Sequence, residues 1–213
     1  MATPVSDVVT RLRNEVLRDS AEPYLFSTDE IINVLSEGYR IFARHTHAII
    51  NTFTVRTVVG QSSYTLDPTV CYVRQVTLVD ASNNSVWYLT PYTRRAKPLR
   101  WTGRPTAYST DAAQSTLKLY PVPDQAYTLE VDCAVVPERL TANSTIALGS
   151  EWIPTLMNYA SARLLSNNDP DGSNQVAAQQ FEQRWKEGVM LAKQQFIRDR
   201  VGEGTTAMPR RWT

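Results

Sequence analysis

The stretch "LKLYPVPDQAYTLEV", Leu117–Val131, decides how the middle of this chain reads. Leu117 and Leu119 alternate with Lys118, and Leu129 and Val131 alternate with Thr128 and Glu130, so both ends carry the period of two that marks a strand. Between them Pro121 and Pro123 flank Val122. Neither proline has an N–H, so neither a helix nor a ladder runs on through them. The spacing predicts a β-hairpin with strands Ser115–Tyr120 and Ala126–Val136 and a turn at Pro123–Asp124. Leu129, Val131, Cys133 and Val135 fall on one face of its second strand, opposite Thr128, Glu130 and Asp132, as in a half-buried antiparallel sheet.

Upstream the same period continues. "CYVRQVTLVD" and "VWYLT" flank the turn formers "ASNNS" and predict another antiparallel pair. Phe53, Val55 and Thr57 alternate with Thr52, Thr54 and Arg56, and "VGQSSYTLDP" turns into one more short strand. Residues 51–149 therefore read as a β region.

Both ends of the chain read as helix. Thr3 and Pro4 suit a cap and first helical position, and Val5, Val8, Val9, Leu12, Val16 and Leu17 follow at helical spacing to about Ser20. Ser27 and Glu30 have capping-box spacing, and Ile31, Leu35, Phe42 and Ile49 extend a second helix to about Ile50. Ser150 offers the cap of a third, with Ile153, Leu156, Met157, Ala160 and Leu164 on one stripe to Ser166. After "NNDPDG", Ala177, Phe181, Trp185, Gly188, Ala192 and Phe196 trace a fourth, antiparallel to the third.

A single helix cannot bury its stripe alone, so the four are expected to pack together. The expected architecture is α+β. A four-helix bundle forms from 1–50 and 150–200, an antiparallel β-sheet domain, sandwich or barrel-like, is inserted over 51–149, and 201–213 is an extended C-terminal arm.

Charge narrows the function. The 213 residues carry 22 basic and 21 acidic side chains, a net charge of +1, which argues against a broadly basic nucleic-acid surface on a free monomer. No apolar run reaches the roughly 18 residues of a membrane span, and the first residues mix charge with apolar groups, so a soluble, unprocessed chain is expected. Cys71 and Cys133 lie in separate strand-like runs and read as buried free thiols in a reducing cytosol.

The usual catalytic signals are missing. The eight glycines form neither a dinucleotide fingerprint, nor a phosphate loop, nor a nucleophile elbow. His45 and His47, two apart on an expected helix, point about 200° apart. A zinc site from these and the two cysteines would need four ligands at no familiar spacing, so no metal or cofactor is expected. Glu130, Asp132 and Glu151 make no evident carboxylate pair, so no enzyme is expected and a hydrolase is the weakest alternative. A helix-turn-helix would need a shorter connector than Ala21–Phe26.

Two features stand out. Between Asp80 and Asp111 no acid occurs, while Arg94, Arg95, Lys97, Arg100 and Arg104 cluster among Trp87, Tyr88, Tyr92 and Trp101. That mix suits phosphate contact and base stacking, and makes a nucleic-acid-binding module the main alternative function; a solvated loop paired with acids elsewhere is the plainer reading. In the last stretch Met208, Pro209 and Trp212 stand beside Arg210 and Arg211, a composition enriched at protein interfaces.

The order of elements, with "GQSSYTL", "GRPTAYS", "LKLYPVPDQAYTLEV", "EWIPTLMNYASARLL" and "FEQRWKEGVMLAKQQF", resembles the head-to-tail adaptor proteins of tailed bacteriophages, especially the tail tubular protein A type of short-tailed phages. The resemblance runs from the first helix to about Phe196. It departs at "YTLDP", where relatives more often place proline directly after leucine.

It implies a non-catalytic structural virion protein at the head–tail interface, assembled in the host cytoplasm. Relatives form a ring of about twelve identical subunits beneath the portal. The partners implied are further copies of the chain, the portal protein, tail nozzle or tail fibre proteins, and double-stranded DNA in the lumen, with no membrane. Onto this plan the residues suggest that Met208–Trp212 bind the portal. Arg94, Arg95, Lys97, Arg100 and Arg104 would then face the DNA channel or a neighbouring tail protein.

Overall fold

A computed structural model describes residues 3–19, 21–80, 85–92, 101–111, 115–167 and 174–204, with residues 198–204 described by backbone alone. In chain order the first elements are β1 (Thr3–Pro4), α1 (Val5–Arg11), a π-helical continuation (Leu12–Leu17) and α2 (Thr28–Thr46). There follow β2 (Ile50–Arg56), β3 (Ser63–Thr65), β4 (Val70–Asp80), β5 (Ser85–Tyr88) and β6 (Thr90–Pro91). Then come β7 (Ala107–Asp111), β8 (Thr116–Tyr120), β9 (Thr128–Val135) and β10 (Thr145–Ile146). A 3-10 turn (Ser150–Trp152), α3 (Ile153–Asn167) and α4 (Gln175–Gly204) complete the described chain. The class is α+β, with mostly antiparallel sheets; β6 on β7 is a parallel pair.

The chain forms two compact units, Met1–Ala48 with Pro137–Thr213, and Ile49–Val136. In the first, α1 begins at Val5 and not at Pro4, because Thr3 and Pro4 pair as a strand with Ile146 and Thr145. The Val5 N–H then donates to Ser144 O at 3.0 Å, so a neighbouring segment takes up an N–H that the helix itself leaves open.

The π-helical turn ends at Arg18 in the left-handed region. Arg13, on this turn, pairs with Asp19 at 2.8 Å, both buried. The Asp19 carboxylate also accepts the N–H groups of Leu25 and Phe26. This cluster fixes the connector and seats Phe26 in the core.

Ser27 Oγ accepts the Glu30 N–H at 3.1 Å, the cap expected from the sequence, worth about 1 kcal/mol. The far end of α2 differs from expectation. His47 adopts φ 55 and donates its N–H to Ala43 O, so the helix stops at Thr46 and Ile50 opens a strand. The apolar Ile49 had extended the helical stripe in the sequence, yet it packs against the β core.

Residues 137–149, which the sequence reading assigned to the β region, belong to the helical unit. They are tied to α2 where Leu140 N–H donates to Ser36 Oγ and Ala147 N–H to the Tyr39 hydroxyl.

An aromatic cluster closes this unit. Phe42 lies 6.0 Å from both Trp152 and Trp185, Tyr159 lies 5.0 Å from Trp185, and Trp152 lies 6.0 Å from Phe196. The pairs 159 with 185 and 152 with 196 run in opposite directions, so α3 and α4 are antiparallel. Gly38 is required where α2 crosses α3, since a Cβ there would meet Tyr159 Cδ1 at 2.6 Å. α4 runs to Gly204, into the stretch expected as an extended arm. Extending an existing helix costs far less than starting one, so Gly202 does not end it.

The second unit holds two four-stranded sheets, β2–β9–β4–β5 and β3–β8–β7–β6. The pair β4–β5 forms as the sequence indicated, with Leu78 opposite Trp87. The expected hairpin at 115–136 does not: β8 pairs with β3 and β7, whereas β9 pairs with β2 and β4.

Backbone pairing of the linker explains the switch. Val122 exchanges N–H···O bonds with Trp101 O and the Gly103 N–H, Pro123 O accepts from Gly60, and Tyr127 is bonded in both directions to Thr57. Both flanking strands still bury their leucines. One cluster joins Val76, Leu78, Leu129 and Val131 of the first sheet to Tyr64, Tyr108, Leu117 and Leu119 of the second.

Candidate interaction surfaces

Of the basic loop, Arg94, Arg95, Lys97 and Arg100 lie outside the described residues, as do Met208, Pro209, Arg210, Arg211 and Trp212. Arg104 is described. Its guanidinium sits over the Trp87 ring, 4.5 Å from the centroid. Trp87 alternates with Tyr88 on β5, and the pleat turns Trp87 toward the core cluster while leaving Tyr88 71% exposed.

The segment carrying Trp101 and Arg104 is held by the Val122 bonds and by Thr106 N–H donating to Tyr120 O at 2.8 Å. Trp101 is 61% exposed on that support. The expected aromatic group is thus partly assembled: Arg104 meets Trp87, and Tyr92 packs on Tyr120 with ring centroids 4.8 Å apart. An exposed indole and phenol on rigid backbone give a surface that can anchor a partner or stack on a planar group.

Asp132 on β9 accepts a hydrogen bond from Thr52 Oγ1 at 2.6 Å, beside exposed Glu130, and Glu151 belongs to the other unit. Cys71 and Cys133, on the paired strands β4 and β9, are not joined in a disulfide. Burial, with smaller contributions from Asp132 and Cys71, pushes the Cys133 thiol up to about 11, far from a reactive thiolate. Among the described residues no three His, Cys, Asp or Glu side chains are placed to hold a metal ion.

Two surfaces escaped the sequence reading. On α4, Val176, Met190, Leu191 and Ile197 are exposed. On α2, Arg40, Arg44 and His45 line a pocket of about 560 Å³ together with Arg139. The i, i+4 spacing of Arg40 and Arg44 is visible in the sequence; the arrival of Arg139 from far along the chain is not.

A family model described as SU10 adaptor protein matches residues 3–209, across both compact units. The chain belongs to the SU10 adaptor protein family. Membership makes this adaptor a bacteriophage structural protein, a component of the virion that works through contacts with other head or tail proteins. None of the curated proteins is similar enough to the adaptor to count as a match. Among its described residues no helix is long and apolar enough to cross a membrane.

Proposed function

We propose that this adaptor closes into a ring between the portal and the tail and continues the DNA channel, without catalysing a reaction. The family match over residues 3–209 carries this reading, because it spans the helical and the β unit together. Each subunit has two domains: a discontinuous four-helix bundle, and a β-sandwich whose two sheets feed one apolar cluster. The packing of α2 on both α3 and α4 supports the first, and the shared cluster supports the second.

Identical subunits join through heterologous contacts that close, about twelve in number by analogy with related adaptors. The exposed apolar residues of α4 supply contact area. Met208, Pro209 and Trp212 serve as anchors, with Arg210 and Arg211 beside them, and grip the portal. The Arg94–Arg104 loop faces the DNA lumen or the tail nozzle. Assembly is sequential, portal first and tail last.

Native mass of the 24.0 kDa chain, alone and with its portal, tests the reading. A multi-subunit ring on the portal, lost when residues 205–213 are deleted with α4 left whole, is the expected result. A monomer that ignores the portal but binds duplex DNA with steep salt dependence overturns it, in favour of a nucleic-acid-binding module.

A further inference from the structure

The pocket on α2 holds more positive charge than the fold uses. Arg44 and His45 stand in the last turn of α2, where cations offset the negative end of the helix, and that alone accounts for those two. Arg40 lies one turn earlier, and Arg139 comes from a different segment altogether. The Leu140 N–H bond to Ser36 Oγ, 3.0 Å long, pins that segment onto α2 and so holds Arg139 beside the helix.

One acid, Glu37, also lines the pocket; it is exposed, and its charge acts on Tyr159 and Arg163 of α3 as well. Among the described residues the ion pairs are Arg11–Glu15, Arg13–Asp19 and Lys186–Glu182, and none involves Arg40, Arg44 or Arg139. Three guanidinium groups thus line the pocket beside a single carboxylate, that of Glu37, and among the described residues none of them forms an ion pair.

We infer that this pocket docks an acidic segment of a partner protein, seating Asp or Glu carboxylates between Arg40, Arg44 and Arg139. Guanidinium forks match carboxylates in two-point geometry, and Asn33 and Ile41 add a polar and an apolar contact suited to a peptide. Its volume is in the range of ligand pockets, whereas a DNA duplex is a convex rod that needs cations spread along its backbone. The adaptor's net charge of +1 leaves no such spread. The inference concerns the helical unit alone and stands whether or not the subunits close into a ring.

The full chain is titrated with a fluorescent, end-blocked glutamate-rich peptide, with duplex DNA as competitor. Arg44→Ala and Arg139→Ala each weaken peptide binding about tenfold or more, while Arg139→Lys, which keeps the charge but not the fork, falls between. Lys193→Ala, exposed on α4 and outside the pocket lining, leaves it unchanged. Because Arg44 and Arg139 are exposed, the variants fold, and an unaltered circular dichroism spectrum verifies this. Absence of peptide binding, or equal binding by the alanine variants, overturns the inference. So does DNA binding that the same substitutions abolish and the peptide cannot displace, which assigns the pocket to phosphate.

Discussion

Replacing Asp19 with alanine should be among the costliest single changes in the helical unit. Its carboxylate accepts from Arg13 Nη1 at 2.8 Å, from Leu25 N–H at 2.8 Å and from Phe26 N–H at 3.1 Å. The two side chains are only 9% and 7% exposed, so water cannot take over the lost contacts. What remains for the buried guanidinium is Thr28 Oγ1 at 3.2 Å and the Tyr24 ring at 4.1 Å. Removing one partner of a buried pair costs about 3–5 kcal/mol. A domain is stable by only about 5–15 kcal/mol, so about a fifth or more of its stability goes.

At about 2–4 °C per kcal/mol, the melting temperature falls by roughly 6–20 °C. Arg13→Met fills the same space without charge and leaves Asp19 its two backbone donors, so it costs less. The double variant loses less than the sum of the singles. Urea unfolding followed by helix circular dichroism measures all three. A loss below about 1 kcal/mol for Asp19→Ala, or additivity within about 0.5 kcal/mol, would mean that the cluster is not a coupled unit.

The β unit should weaken at alkaline pH through Cys133. Its thiol pKa is raised from 9.0 to about 11 in the folded state, so the unfolded chain loses the proton first. Its stabilising contribution is whole below about pH 9 and is lost as pH climbs toward 11, about 2–3 kcal/mol in all. Burial raises Tyr108 and Tyr127 as well, which acts in the same direction. Cys133→Val should flatten the pH dependence of the urea midpoint, and an identical profile would contradict this account. Gly38→Ala tests the α2–α3 crossing. In an open helix the exchange gains about 1 kcal/mol, but the contact at 2.6 Å from Tyr159 makes it a net loss of about 1–2 kcal/mol, and a higher melting temperature would refute the close approach.

Local chemistry was legible from the sequence wherever one element supplies it. The cap at Ser27, the helical stripe around Phe42, the alternation through Leu129 and Val131, and the β4–β5 pair are written in neighbouring residues, and family resemblance was carried by the same motifs. The end of α2 was misread because Ile49 fits a helical stripe and a strand alike, and His47 in the left-handed region decides between them.

What the sequence determined by itself is which side chains face inward, since burial follows a period of two or 3.6 along the chain. Only the tertiary structure decided which strands meet. A strand's alternation is the same whether its partner is its neighbour or lies far along the chain, so nothing local told that β8 and β9 part into separate sheets around Pro121 and Pro123. For the same reason Arg139 could not be joined to Arg40 and Arg44 until the Leu140 bond to Ser36 brought it there. Long-range hydrogen bonds and shared burial set those pairings, and they exist only once the chain is folded.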